Sequence, residues 1–305
     1  MQAITLDRDG AAPTVRDDLA RPSPGPDEVL VRVRASSVNG FDRKAADGAL
    51  RGAMDYRYPV VLGKDFAGEV EAIGGTSDFR VGDPVFGVLM RSYLGDGTWA
   101  EYVTAGGADG IARVPDGIEL ATAGVLGLAG ATALDTLDAL AVRPGDTVLV
   151  AGATGGVGAL AVQYARLAGA RVVATARPGP ATDFVRDLGA DEVVDYTGDL
   201  AGQVRALAPD GVSAVAHLAG EGAPLAGLLA TGGRLASTIG FGPDQHPAAV
   251  SIFGKPERGT LDRLADDVLA DRVRVPVDRR YELAEVPRAL SEFSGALGKL
   301  AISLP

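Results

Sequence analysis

A chain of 305 residues is too long for one small core and suits two domains of ordinary size, and its balance of 47% apolar to 23% charged residues is that of a folded globular protein. The 29 basic and 40 acidic side chains leave a formal charge of -11 with no basic block to offset it, so a phosphate backbone is repelled and nucleic acid is not an expected partner. The absence of cysteine rules out disulfides, thiolate catalysis and thiolate zinc sites.

The opening residues Met1-Gln2-Ala3-Ile4-Thr5-Leu6 lack the basic start and apolar run of a signal peptide, so a cytoplasmic location is expected. Up to about residue 120, short β-rich runs alternate with Gly and Pro. Val29-Leu30-Val31-Arg32-Val33-Arg34, with its apolar alternation, is typical, and together the runs predict a barrel-like β domain. The weakly polar stretch 121–134 is shorter than the ~20 residues of a membrane helix and is read as a core helix, with no membrane partner. From about Val142 the rhythm becomes that of βαβ units: strands over 147–151, 171–175, 192–194, 212–216 and 234–239, with a helix over 156–167 stopped at Gly169. An amphipathic helix around 284–293 and a last strand over 300–304 are expected to return to the first domain. The fold class is α/β, a β-rich domain over 1–120 with a return at about 272–305, joined to a Rossmann doubly wound parallel sheet over 121–271.

Behind the first Rossmann strand stands Ala151-Gly152-Ala153-Thr154-Gly155-Gly156-Val157-Gly158, leading straight into a helix. A side chain at 155 would hold the backbone off a diphosphate, Gly158 allows helix to pack on strand, and the helix N-terminus offers free N–H groups. This predicts dinucleotide binding through Ala153, Thr154, Gly155, Gly156 and Val157. The choice of dinucleotide falls roughly 20 residues on, where an NAD enzyme places an acid. Here Val173-Ala174-Thr175-Ala176-Arg177 has none before Asp183. Thr175 and Arg177 are therefore assigned to a 2′-phosphate, and NADPH is the expected cofactor, although Arg177 also fits an ordinary solvated loop charge.

With these residues in view, the chain resembles, over nearly its whole length, the zinc-independent medium-chain dehydrogenases/reductases, in particular the quinone oxidoreductases related to zeta-crystallin. The resemblance rests on Val38-Asn39-Gly40-Phe41-Asp42, Leu62-Gly63-Lys64-Asp65-Phe66-Ala67-Gly68, Gly82-Asp83-Pro84-Val85-Phe86, Trp99-Ala100-Glu101-Tyr102-Val103, Gly130-Ala131-Thr132-Ala133, the glycine loop and Gly298-Lys299, in that order. It implies a GroES-like N-terminal domain, a C-terminal Rossmann domain, NADPH in the cleft between them and a homodimer. It also places Asn39, Thr132, Leu218, Ala219, Gly240, Phe241 and Lys299 near the cofactor, and Tyr196 near the adenosine phosphate.

Zinc-dependent relatives carry Cys where this chain has Asn39 and His where it has Lys64, so no metal is expected. The activity implied is hydride transfer from NADPH to a quinone or an α,β-unsaturated carbonyl. The alternatives are a specialised biosynthetic enoyl reductase or cyclase, and a non-catalytic NADPH-binding redox sensor. The candidate catalytic residues are Asn39, Lys64 and Tyr56. Lys64 either polarises the substrate carbonyl or pairs with Asp42 or another nearby carboxylate and holds the cleft together, while Tyr56 and its neighbour Tyr58 either line the pocket, where a tyrosine can donate a proton to an enolate, or merely pack. Two departures from the family stand out. His217 replaces a common acid and fits proton transfer or a neutral hydrogen-bonding role; Trp99 replaces a small residue and either narrows the pocket or fills core, where its indole N–H needs a partner.

Overall fold

The structure, a computed structural model, describes residues 1–107 and 109–305. The chain forms two compact units: Met1–Leu128 with Pro256–Asp271 and Val277–Pro305, and Ala129–Lys255 with Arg272–Pro276.

In the first unit the long strand Glu28–Val38 is the spine. It pairs antiparallel with Asp65–Ile73, Tyr102–Gly106 and the C-terminal strand Lys299–Ser303. The chain end thus joins the N-terminal sheet as expected. A second, four-stranded sheet is built on Ala3–Leu6, and the apolar side chains of both sheets meet around Phe66, Trp99, Leu89 and Leu300, all fully buried. The sequence pattern assigned 121–271 to the second domain, whereas residues 121–128 and the helix Arg258–Leu269 lie in the first unit. The reason is packing: Leu261 and Leu264 are fully buried, the helix rests on the strand Gly110–Arg113, and Arg258 pairs with Asp78 at 3.2 Å.

The second unit is a six-stranded parallel sheet in the order Glu192–Val194, Arg171–Thr175, Thr147–Ala151, Val212–His217, Leu229–Ser237, Ala249–Ser251. The central strands Arg171–Thr175, Thr147–Ala151 and Val212–His217 are Val- and Ala-rich and buried on both faces, as a parallel sheet covered by helices requires. Sequence order reverses beside Thr147–Ala151, the place where open α/β sheets take ligands. The three-residue strand Ala249–Ser251 was not among the strands expected from the sequence.

The helix over Leu120–Leu140 has 21 residues and is long and apolar enough to cross a bilayer, which corrects the shorter stretch read from the sequence. Within the protein, 72% of its most apolar window is buried, which is the state of a core helix.

Candidate active site

In the first unit, strand register gathers a buried polar cluster. Leu300 lies opposite Val38 and Phe66 opposite Ser36, so Ser37, Asn39, Asp65 and Lys299 meet where three strands end or begin. The Asn39 Nδ2 donates to Asp65 Oδ2 at 2.9 Å and to Ser37 Oγ at 3.3 Å, and its Oδ1 accepts from Lys299 Nζ at 2.5 Å. Asp65 also takes the Leu128 N–H at 2.7 Å, the Ser37 hydroxyl, and the Lys299 ammonium at 3.4 Å. A carboxylate so deep in the fold is tolerated because each oxygen is met by donors.

Beside this cluster lies a shallow, open recess with Phe41, Asp42, Leu62, Lys64, Leu89 and Arg91 on its wall. The Lys64 ammonium donates to the Leu89 carbonyl at 2.6 Å and stands 4.6 Å from the centre of the Phe41 ring. Among the described residues no carboxylate oxygen lies within ion-pair distance of it, so the pairing with Asp42 weighed from the sequence is replaced by a backbone contact. Burial pushes the Lys64 ammonium below its ordinary range, and Asp42, Asp109 and Asp65 oppose the shift through their charges. Tyr56 is not on the wall; its hydroxyl donates to the Ala45 carbonyl at 2.9 Å, which favours the packing role. Trp99 is fully buried, with its indole N–H on the Ser37 carbonyl at 3.2 Å, and fills core.

In the second unit the glycine loop runs from strand to helix as expected. Helix Gly156–Leu167 starts behind Gly155, and its first intrahelical bond is Ala159 N to Gly155 O at 2.8 Å, leaving the N–H groups of Gly156, Val157 and Gly158 ahead of the ladder. A Cβ at 158 would sit on the Gly152 carbonyl oxygen and 2.7 Å from Ala153 Cα, whereas one at 155 would meet only Gly152 O, at 3.6 Å. The loop is thus a cradle whose open side is the side a side chain at 155 would fill, and a diphosphate fits it. Thr175 is corrected: its hydroxyl is buried beneath the loop, accepting the Gly152 N–H at 2.9 Å and facing the Val150 carbonyl at 3.4 Å, so it braces the cradle and is not turned toward a 2′-phosphate. Arg177 is exposed, 5.7 Å from the ring centre of half-exposed Tyr196, because Thr175 and Val194 are register partners on neighbouring strands. Nearby Asp195 is held below the usual carboxylate range by the Thr197 hydroxyl and N–H, with a smaller pull from Arg177.

At the ends of the next strands, Leu218 N bonds Ala151 O at 3.0 Å, Ala219 stands against Gly152, and Phe241 N reaches Ser237 Oγ at 3.2 Å. Gly240 is exposed beside Phe241, and Thr132 lies against Gly254. His217 is buried under the Phe241 ring edge, and its Nε2 is 3.1 Å from the Gly220 carbonyl, so that nitrogen carries the proton and Nδ1 is a bare acceptor. Burial lowers its pKa, which keeps it neutral and favours the hydrogen-bonding role over proton transfer.

Residues 25–116 match the alcohol dehydrogenase GroES-like domain family and residues 156–255 the zinc-binding dehydrogenase family. The chain is 36% identical, over 96% of its own length and 94% of the relative's, to a chloroplast envelope quinone oxidoreductase homolog of Arabidopsis thaliana. It belongs to the quinone oxidoreductase-like medium-chain dehydrogenases/reductases.

A mycocerosic acid synthase-like polyketide synthase of Mycobacterium tuberculosis is 35% identical over 93% of the chain, which spans only 14% of that much longer protein. Among solved structures, a mycobacterial protein complexed with NADPH superposes with a TM-score of 0.86 at 29% identity, over 99% of this chain and all of that one. Among the described residues no group of three or more His, Cys, Asp or Glu is placed to hold a metal ion. The Lys299 ammonium bridges Asn39 and Asp65. Lys299, assigned from the sequence to the cofactor, is 3% exposed and belongs to this cluster. Asp65, Ser37 and Asp42 were missed as site residues, and the one available signal was that Asp42 and Asp65 lie inside the two motifs carrying Asn39 and Lys64.

Proposed function

We propose that the protein is an NADPH-dependent, metal-independent reductase of quinones and α,β-unsaturated carbonyls. The observation that carries this reading is the recess in the first unit, where an ammonium, Lys64, stands beside the Phe41 ring on a wall of mixed apolar and charged residues. An ammonium beside an aromatic face offers a donor to the oxygen on which negative charge grows. NADPH, when bound, supplies the hydride. The chain's own residues hold the diphosphate on the glycine loop, orient the substrate oxygen at Lys64 and exclude bulk water with Phe41, Leu62 and Leu89. The resemblance to a polyketide synthase segment favours, as a second reading, reduction of an enoyl thioester in biosynthesis.

An absorbance screen of NADPH oxidation with quinones, enones, alkenals and enoyl thioesters tests both readings. Turnover of the first three classes is expected, exclusive turnover of thioesters moves the assignment to the second, and none at all removes catalysis. A chelator is expected to leave the rate unchanged; loss of activity on removal of stoichiometric zinc defeats the metal-free reading.

NADPH over NADH rests on Arg177 beside Tyr196 at the ends of adjacent strands, a cation and an aromatic face set to meet an adenosine carrying a phosphate. Arg177→Ala is expected to weaken NADPH binding about 10- to 100-fold while NADH binding barely moves. Equal losses in the two titrations would make Arg177 structural.

A further inference from the structure

The polar cluster of the first unit stands where two strands part. The last register pair between Glu28–Val38 and Asp65–Ile73 is Ser36 with Phe66; past it, Val38 is paired with Leu300 of the C-terminal strand and Asp65 with Val88. Side chains take over across the gap. Ser36 Oγ donates to the Asp65 carbonyl at 2.7 Å, and Ser37 Oγ and Asn39 Nδ2 donate to Asp65 Oδ2, the latter at 2.9 Å. The Lys299 ammonium closes the set from the third strand, on Asn39 Oδ1 at 2.5 Å and Asp65 Oδ2 at 3.4 Å.

This bridge lies at the foot of two walls of the recess. Asn39 precedes the helix Gly40–Ala46, whose first turn carries Phe41, and Asp65 directly follows Lys64. A shift of Asn39 against Asp65 is therefore passed along one or two peptide units to the Phe41 ring and the Lys64 ammonium, which stand 4.6 Å apart. Asn39 is also the only asparagine in the chain. An amide suits the place because it donates to a carboxylate on one side and accepts from an ammonium on the other, which an ionised carboxylate there could not do.

We propose that Lys299 is a positioning residue for the recess: by tying Asn39 to Asp65 it sets the spacing of Phe41 and Lys64, and through them the rate of reduction; the inference rests on the reductase reading above. Lys299 is 3% exposed and acts on the reaction only through these neighbours. A buried ion pair contributes little net stability, and its best-attested use is to fix register. Register between two parted strands is what has to be fixed here. The C-terminal strand does not need the ammonium for its own place, since Leu300, Ala301, Ile302 and Ser303 are backbone partners of Val38, Ser37, Ser36 and Ala35, and Leu300 and Ile302 are buried in the apolar core.

The experiment compares wild type with Lys299→Met, which keeps the unbranched stem, and Lys299→Arg, which keeps a cation. Amide hydrogen exchange, read by mass spectrometry far below the thermal midpoint, needs no turnover. In Lys299→Met, peptides across 39–46 and 62–65 should exchange at least about tenfold faster. A peptide across 29–34, on the same strand but paired on both sides, should exchange as in the wild type. With NADPH and 2-methyl-1,4-naphthoquinone, kcat should fall roughly 10- to 100-fold in Lys299→Met with KM for NADPH little changed. Lys299→Arg should recover part of both losses.

Faster exchange throughout the first unit, in step with a lowered thermal midpoint, would overturn the proposal, as would a Lys299→Met variant with wild-type kcat. If Lys299→Met does not fold, Asn39→Leu decides, because it leaves Lys299 on Asp65 and the buried charges balanced. That variant should show the same local exchange and the same loss of kcat, and wild-type behaviour in either overturns the proposal. Local exchange as expected, with no turnover of any quinone or enone by the wild type, would place the failure in the reductase reading, and the role in reduction would fall with it.

Discussion

A single methyl group added at Gly155 is expected to weaken NADPH binding at least about tenfold without moving the unfolding transition, whereas the same methyl at Gly158 is expected to lose both binding and stability. At 155 the added carbon would touch only the Gly152 carbonyl oxygen, at an ordinary 3.6 Å, and the backbone there already has φ near -80°, which Ala adopts freely. The fold therefore has no reason to resist Ala. The methyl would point to the open side of the helix N-terminus, the side on which a diphosphate meets the N–H groups of Gly156, Val157 and Gly158. At 158 the carbon would fall on the Gly152 carbonyl and 2.7 Å from Ala153 Cα, both backbone atoms that cannot swing aside. Helix and strand must then separate, at a cost of about 1–3 kcal/mol in overpacking. The loop that shapes the cradle moves with them, and NADPH affinity should fall more than about 100-fold, or some 2.8 kcal/mol. Calorimetric titration and thermal melts of the two variants check this directly. If Gly155→Ala bound NADPH as tightly as the wild type, the loop would not be the diphosphate site.

The contrast between these two glycines also shows what was legible in the sequence. Residues 147–175 read correctly because strand, loop and helix are contiguous: the apolar run Thr147–Ala151, the glycines and the helix Gly156–Leu167 each follow from local pattern and turn chemistry. Asn39 and Lys64 were read as site residues from their motifs, but their partners were not. Asn39 meets Asp65 through the pairing of Ser36 with Phe66, and meets Lys299, 260 residues away, through the pairing of Val38 with Leu300. Register between distant strands has no signature in spacing. Lys299 was therefore sent to the cofactor when its ammonium is held by Asn39 and Asp65. Thr175 failed differently. Its place at the end of the second strand was right, but the direction of a hydroxyl depends on what the neighbouring loop leaves unsatisfied, here the Gly152 N–H. The helix Arg258–Leu269 shows the same limit on a larger scale, since an amphipathic pattern announces a face to bury without saying against which unit.

Replacing Lys64 with Met is expected to lower kcat about 10- to 1000-fold while NADPH affinity and thermal stability stay nearly constant. Met keeps the unbranched apolar stem beside Phe41 and Leu89 and removes only the ammonium, so packing in the recess is preserved. The ammonium has three N–H donors, and the Leu89 carbonyl takes one of them at 2.6 Å. Its remaining donors are available to a substrate oxygen, and their contribution is largest when that oxygen becomes anionic, so kcat and kcat/KM should fall together. The stability side has a definite sign. Burial lowers the Lys64 pKa below its unfolded value, so the folded state binds protons less readily than the unfolded state between the two values, and stability rises with pH through that window. Below the lowered pKa the full penalty of the buried charge is present. Removing that charge relieves the penalty and offsets the hydrogen bond lost at Leu89, worth roughly 0.5–1.5 kcal/mol. A thermal melt near neutral pH should accordingly show little change, and one at pH approaching 10 should show the variant losing ground to the wild type. A variant with undiminished kcat, or one whose lost rate follows a lowered thermal midpoint, would make Lys64 part of the scaffold and leave the recess without an electrophile for the substrate oxygen.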